Sequence, residues 1–109
     1  MAAKRVYGPA AVAAGPVTIY TVPSVAGSVQ KLTIRHINVT NNTASPATLT
    51  MSIGADAAGT RFITAYSVPA NATVPFYGMY VLEGGEILTA SSGTGSALIL
   101  TVDGDLETV

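Results

Sequence analysis

The sequence predicts an all-β protein that folds as a single β-sandwich, and three observations lead to this fold class. The chain has 109 residues, a length that suits one domain. Val, Ile, Thr and Tyr occur in short runs separated by Gly, Pro, Asn and Ser. Almost no segment shows the apolar spacing of a helix. We therefore expect seven or eight antiparallel strands in a jelly-roll-like or immunoglobulin-like arrangement.

Seven of these strands can be placed from the runs of strand-forming residues. Each run is bounded by residues that favour turns, so its ends are marked as well as its centre. The expected strands cover residues 17–22, 30–40, 47–53, 60–67, 72–82, 86–91 and 96–103.

The N-terminal residues 1–16 are expected to form an extended, flexible arm, followed by a sandwich domain over residues 17–109. Residues 10–14 are rich in Ala, but Gly-Pro steps flank them and favour an extended conformation over a helical turn. The piece around Val6 and Tyr7 has strand-forming residues, so it is either part of this arm or an edge strand.

Two strands show the alternation of a sheet with one face against a core. Apolar side chains occupy every second position, and Thr or Ser fills most positions between them. The inward positions are Ala47, Leu49, Met51 and Ile53 in one strand and Leu98, Leu100 and Val102 in the other.

The second predicted strand changes phase near its middle. Leu32 and Ile34 share one phase, whereas Ile37 and Val39 share the other. Because strand side chains alternate with a period of two, both pairs face one core only if the strand bulges or bends between them. We predict a β-bulge or corner at Arg35–His36.

The charge content is low and favours assembly. Charged residues make up 10% of the chain against 49% hydrophobic residues, and the formal net charge is −1. This balance provides no electrostatic basis for binding nucleic acid or an anionic membrane. Surfaces that are large, neutral and apolar are usually buried against a partner, so we expect an oligomer or larger assembly. The alternative is a monomer whose surface consists of Thr, Ser, Ala and Gly.

Targeting and redox signals are missing from the sequence. There is no Cys, which excludes disulfides and thiolate metal sites. Gly and Pro interrupt the N-terminal residues before an apolar run of signal-peptide length can form. No segment approaches the ~18 consecutive apolar residues of a membrane helix. We expect the product to remain in the cytoplasm until it is assembled.

The residues that could carry chemistry do not form a catalytic or metal-binding pattern. His36 is the single histidine, and no partner for it can be identified. Residues 54–61 have the glycines of a phosphate loop but lack its Lys and the following helix. Residues 103–107 are too short of oxygen ligands for a Ca²⁺ loop and are expected to be a solvated tail. We expect a non-enzymatic protein without metal or cofactor.

Asn38, Asn41 and Asn71 each begin the acceptor pattern for N-linked glycan. The pattern has meaning only on a secretory route. Asn and Thr are common in any turn-rich β-chain, so we interpret these matches as a result of composition.

The aromatic residues are the candidates for an interaction surface. A tyrosine offers an apolar ring and a polar tip, which suits a core, a sugar- or peptide-binding face, or an interface between copies. The low charge of the chain favours the interface. The candidate interface residues are Tyr7, Tyr20, Tyr66, Phe76, Tyr77 and Tyr80.

An ordered series of phrases carries a family resemblance. "IYTVPS", "IRHINVTNNT", "LTMSIGADAAGTR", "YSVPANATV" and "VLEGGEILTASSGTGSALILTVDG" together resemble small β-sandwich virion proteins of tailed bacteriophages. The resemblance covers residues 17 to about 104, nearly the whole chain, although each phrase alone is loose. Such proteins often carry a short basic turn where this chain has "VAGSVQK", so a contact mapped to that turn is not carried over.

The resemblance implies a non-enzymatic structural protein of the virion, present in many copies. It would be tail-associated, as a minor tail or tail-tip protein, or would decorate the capsid, after assembly in the cytoplasm of the bacterial host. Its partners would be other copies of itself and other virion proteins. The alternative is a carbohydrate- or host-receptor-binding module for a host-surface glycan, using the tyrosines and the loops at 54–60 and 91–96.

Overall fold

The computed structural model describes residues 2–24, 26–27, 30–93, 95 and 97–108, and for residues 2–4, 78 and 79 it describes the backbone alone. Within this part of the chain the regular elements are strands, which confirms the all-β class. No helix among the described residues has the length and apolar character needed to cross a membrane. The strands are β1 (Ala2–Ala11), β2 (Val17–Thr21), β3 (Gln30–Asn41), β4 (Ala47–Ile53), β5 (Arg61–Val68), β6 (Thr73–Glu83), β7 (Ile87–Ser92) and β8 (Leu98–Thr108).

The strands form two antiparallel sheets of four strands each. Sheet A has the order β1-β8-β3-β6, and sheet B has the order β2-β7-β4-β5. The first half of the chain pairs with the second half in reverse order: β1 pairs with β8, β2 with β7, β3 with β6 and β4 with β5. This order is that of a jelly roll, so it decides between the two sandwich types left open by the sequence.

At the N-terminus, the segment around Val6 and Tyr7 is part of an edge strand. Residues 2–11 form β1, which pairs with β8 from Ala2 opposite Leu106 to Ala11 opposite Ile99. Residues 2–11 of the predicted arm are therefore an edge strand of sheet A, and residues 12–16 connect it to β2. Gly8 makes this pairing feasible because it adopts a left-handed φ of 72° beside the backbone of β8, where a side chain would collide with the carbonyl oxygen of Leu100. Met1 and Val109, the outer limits of the predicted domains, lie outside the described residues.

The C-terminal end of the chain corrects a second expectation. Residues 103–107 were expected to be a solvated tail, but β8 continues through them to Thr108 and pairs with β3. Their polar composition reflects the outer face of sheet A, where Asp103, Asp105 and Glu107 lie opposite His36, Thr33 and Lys31. Acidic residues at every second position are compatible with a strand that has one wet face.

The core lies between the inner faces of the two sheets. The inward residues predicted for β4 and β8 are buried, except that Ile53 at the end of β4 is half-buried. Val12 and Val22 close the core where the chain enters and leaves β2. The fully buried large side chains are Leu32, Ile34, Ile37, Leu49, Met51, Leu82, Leu88, Leu98, Leu100, Val12, Val22 and Val39.

The phase change in β3 is a β-bulge. The register of β3 with β8 and with β6 shifts between Ile34 and His36, and Arg35 is exposed. Leu32 and Ile34 before the shift, and Ile37 and Val39 after it, are all fully buried. The strand stays in sheet A on both sides, so the prediction of a bulge or corner resolves to a bulge.

The bulge brings the backbones of β3 and β8 unusually close. Gly104 lies opposite Ile34 and is buried. A side chain at this position would collide with the carbonyl oxygen of Thr33, so the close approach requires glycine.

Candidate interaction surface

The bulge aligns four side chains across the outer face of sheet A. Arg5 on β1 pairs with Asp103 on β8, Asp103 pairs with His36 on β3, and His36 pairs with Tyr77 on β6. We call these four residues the bulge row, because the register of each of the three strand pairs shifts beside one of them. Bulges turn side chains to new directions and are frequent near functional surfaces.

The centre of the bulge row is held by polar and ring contacts. The Nδ1 atom of His36 lies 3.8 Å from a carboxylate oxygen of Asp103. The His36 ring stacks on Tyr77 with a centroid distance of 4.9 Å and an angle of 21°. Its Nε2 atom is buried and has no hydrogen-bond partner among the described residues. His36 therefore supports one face of the Tyr77 ring from the neighbouring strand.

The two ends of the bulge row are open. Tyr77 is 76% exposed at the β6 edge, so one ring face rests on His36 and the other is free. Arg5 is exposed at the β1 edge. Among the described side chains, no ion-pair or hydrogen-bond partner of Arg5 is found. Each edge of sheet A thus ends in a side chain that can contact another molecule.

Most charged side chains of the protein lie on the outer face of sheet A. Arg35 at the bulge forms an ion pair with Asp105 on β8. Lys31 on β3 has Glu107 on one side and Glu83 on the other. On strands β1, β8 and β3 this face therefore presents charges of both signs, which is typical of a surface that stays in contact with water.

The side of the sandwich formed by β5 and β6 has the opposite character. These edge strands carry the aromatic side, which we define as Phe62, Tyr66, Phe76 and Tyr80. Phe62 contacts Tyr80 at 4.6 Å between ring centroids, and Tyr66 contacts Phe76 edge-on at 5.1 Å. Such ring pairs are worth ~0.5–1.5 kcal/mol each beyond the area they bury. Both pairs join a strand of sheet B to a strand of sheet A, so they close the sandwich at this side.

Between the ends of β5 and β6, the β5–β6 side is uncharged and exposes several large apolar side chains. Residues 62–82 contain no Asp, Glu, Lys or Arg. The large hydrophobic side chains exposed among the described residues are Tyr77 at 76%, Val81 at 46%, Tyr66 at 42% and Val17 at 41%. Three of these four lie on β5 or β6. Interface cores are depleted in charge and enriched in aromatic rings, so this side has the composition of an interface.

The predicted interface residues separate into three groups. Tyr66, Phe76 and Tyr80 lie together in the aromatic side with Phe62, which is not among the predicted interface residues. Tyr77 also lies on β6, but it belongs to the bulge row on the outer face of sheet A. Tyr7 and Tyr20 are half-buried and pack against the core.

The two remaining tyrosines have internal roles. The hydroxyl of Tyr7 donates a hydrogen bond to the carbonyl oxygen of Ala11 at 3.1 Å, within β1. Burial raises the pKa of Tyr20. Both residues remain interface candidates only through the parts of their rings that are still accessible.

The 54–60 loop is closed on itself. The Thr60 hydroxyl donates to the carbonyl oxygen of Ala55 at 2.6 Å and accepts from the amide of Ala57 at 3.2 Å. Arg61 donates to both carboxylate oxygens of Asp56, at 2.9 and 3.0 Å. The side chains of Asp56, Thr60 and Arg61 are therefore already hydrogen-bonded within this loop. In the other proposed binding loop, 91–96, residues 94 and 96 lie outside the described part.

The ion pair in this loop gives a prediction about pH. The hydrogen bond from Arg61 lowers the pKa of Asp56 below its ordinary value of 3.8. A carboxyl group with a lowered folded-state pKa stabilises the fold above its unfolded-state pKa, and this contribution is lost as the pH falls through the folded-state value. We expect Asp56→Asn to lower Tm slightly at neutral pH and to differ from the wild type progressively less in acid. Calorimetric melting curves from neutral pH to below pH 3 check this, and a difference that grew in acid would contradict it.

Asn41, which matches the glycan acceptor pattern, has a structural role in the fold. Its side chain is fully buried at the end of β3. The amide nitrogen donates to the carbonyl oxygens of Ser45 at 2.8 Å and Val68 at 3.1 Å, and the amide oxygen accepts from the backbone and hydroxyl of Thr43. This network ties the β3–β4 turn to the end of β5, so the folded chain does not present Asn41 for glycosylation.

Other site types are not seen in the part of the chain that the structure describes. No three His, Asp or Glu side chains converge there in a way that could hold a metal ion. No cavity is found among the described residues. Comparison with protein-family models, with curated proteins and with solved structures gave no match to this chain.

Proposed function

We propose that the chain is a non-enzymatic structural component of a tailed-phage virion that assembles in multiple copies. It would serve as a tail-associated protein, of the minor tail or tail-tip type, or as a capsid decoration. The observation that carries the assembly role is the β5–β6 side, because residues 62–82 are uncharged and expose Tyr66, Tyr77 and Val81. Exposed apolar area of this kind usually marks a protein interface.

The distribution of charge supports the same proposal. The outer face of sheet A carries most of the charged side chains, whereas the β5–β6 side carries none between residues 62 and 82. A subunit whose β5–β6 side is buried against neighbouring copies and whose sheet A faces water would have this distribution of charge. The jelly roll is a fold that viral capsid proteins use, and lectins and cupins use it too, so the fold agrees with the proposal by analogy.

The phage assignment is supported by the resemblance of residues 17 to about 104 to β-sandwich virion proteins. That resemblance consists of short turn and strand sequences in a fixed order. Several of these sequences contain residues whose structural role is visible in the fold. "NNT" contains the Asn41 turn network, and "RH" contains the bulge. The proposal places the protein in the virion, with other copies and other virion proteins as its partners.

Sedimentation velocity over a wide range of protein concentration tests this function. We expect the sedimentation coefficient to rise with concentration, because the uncharged side is then buried between copies. A glycan array probed with the same protein tests the alternative role. A chain that stayed monomeric at every concentration and bound a glycan saturably would replace the structural proposal with the binding module.

A further inference from the structure

We propose that copies of this chain meet head to tail, with Tyr77 at the β6 edge of one copy stacking against Arg5 at the β1 edge of the next. This inference rests on the proposed assembly function and names the surface and the partner. The occupant of the β6 edge is a second copy of the chain, and the contact is a cation–π pair.

The first support is the position of the two residues. Arg5 and Tyr77 are the two ends of the bulge row, so they lie at the same level of sheet A but at opposite edges. When one copy is placed beside another in the same orientation, the β6 edge of the first faces the β1 edge of the second. The row that ends at Tyr77 in one copy then continues with Arg5 in the next.

The second support is strand direction. Sheet A contains four strands, and every neighbouring pair in it is antiparallel. With an even number of alternating strands, β6 and the β1 of a similarly oriented neighbour also run antiparallel. Head-to-tail placement therefore continues the sheet without reversing its pattern. Pro9 on β1 and Pro75 on β6 each lack a backbone donor, so side-chain contacts would dominate over a long ladder of hydrogen bonds.

The third support is chemical complementarity. Arginine is attracted to the face of an aromatic ring, and the free face of Tyr77 points away from His36. Arg5 is an exposed cation for which the described part of this chain supplies no partner. Because residues 62–82 carry no charge, a cation arriving at the β6 edge finds no carboxylate from β5 or the body of β6 to divert it.

A charge exchange between the two edges tests the proposal by sedimentation velocity. Arg5→Glu places an anion against the Tyr77 ring, and Tyr77→Lys places a cation against Arg5, so each variant alone should weaken self-association at least about tenfold. In an equal mixture, the intact Tyr77 of the first variant meets the intact Arg5 of the second, and Lys faces Glu at the other contact. We expect the mixture, and likewise the double variant, to regain association.

Two variants serve as matched controls. Lys31→Glu makes the same charge change on the inner strand β3 of the same face, and Ala58→Lys adds a cation in the exposed 54–60 loop. Both should associate like the wild type. Arg5→Gln and Tyr77→Leu replace the charged variants if either of those fails to show a cooperative melting transition.

The outcomes separate this inference from the function on which it rests. One result would contradict the head-to-tail contact: Tyr77→Lys weakens association, Arg5→Glu leaves it unchanged, and mixing the two variants does not restore it. Copies would then meet through β6 alone. If neither variant weakens a wild type that does associate, the surface is wrong while the assembly function stands. A wild type that remains monomeric overturns both.

Discussion

Deletion of Asn38 from β3 is expected to cost a large part of the stability of the fold. Removing one residue reverses the side-chain phase of one part of the strand. Either Val39 leaves the core and the Asn41 network is displaced, or Ile37 leaves the core and His36 enters it. Losing a fully buried aliphatic side chain costs ~1.5–3 kcal/mol, and an unsatisfied buried polar group adds ~1–3 kcal/mol. The total of about 2.5–6 kcal/mol is large beside the ~5–15 kcal/mol of a typical domain.

Deletion of Arg35, three positions earlier, is the control for this prediction. Arg35 is the residue that β3 has in excess over β8, so its removal leaves Leu32, Ile34 and Ile37 in one inward phase. The cost is then limited to the exposed ion pair with Asp105 and the altered register with β6, which we expect to total less than about 2 kcal/mol. Thermal denaturation followed by circular dichroism compares the two deletions. If the Arg35 deletion were the more damaging one, the bulge would have been misplaced.

Replacement of Asn41 by Asp is expected to destabilise the protein by about 3 kcal/mol at neutral pH. The ionised carboxylate cannot donate, so the carbonyl oxygens of Ser45 and Val68 lose the amide that now binds them and face a negative charge. The substitution keeps the volume and shape of the side chain, so the loss reflects the two donated hydrogen bonds and the charge that replaces them. Urea denaturation at neutral pH gives the free energy of unfolding.

The pH dependence of this variant separates charge from packing. In the folded variant, burial and the two carbonyl oxygens would raise the pKa of the new carboxyl group above its value in the unfolded chain. The penalty is therefore full above the folded-state pKa and shrinks as the pH falls toward the unfolded-state pKa. Asn42→Asp, at the exposed neighbouring position, should have a small effect at every pH. A penalty for Asn41→Asp that did not change with pH would contradict the role of the amide donor.

The strand pattern was predictable because the core imposes it locally. The observed bounds of β4 are the predicted ones, and those of β2, β3, β5, β6 and β7 differ from the predictions by a residue or so at each end. The bulge in β3 was visible for the same reason, since four buried side chains fix the phase on both sides of it. The alternation of apolar and polar residues gives information about one strand at a time. The strand bounds and the bulge in β3 are each a property of one strand, so this pattern was enough to predict them.

Features that depend on two distant strands were not predictable in this way. The pairing of Phe62 with Tyr80 across the two sheets follows from the roll of the chain, which no local pattern encodes. Arg5 is unremarkable in the sequence, and its place at the end of the bulge row depends on how β1 pairs with β8. The Ala, Gly and Pro content of residues 8–16 suggested an arm, although enough of this stretch extends along β8 to form an edge strand.

Concentration-dependent hydrogen exchange tests most directly the central claim that copies of this chain bury the β5–β6 side and the β1 edge. Amide protection would be measured by mass spectrometry at low and high protein concentration. The account predicts that raising the concentration slows exchange in peptides from β6 and β1 and leaves the 54–60 loop unchanged. Protection that did not change with concentration, or that rose only in the 54–60 loop, would contradict it.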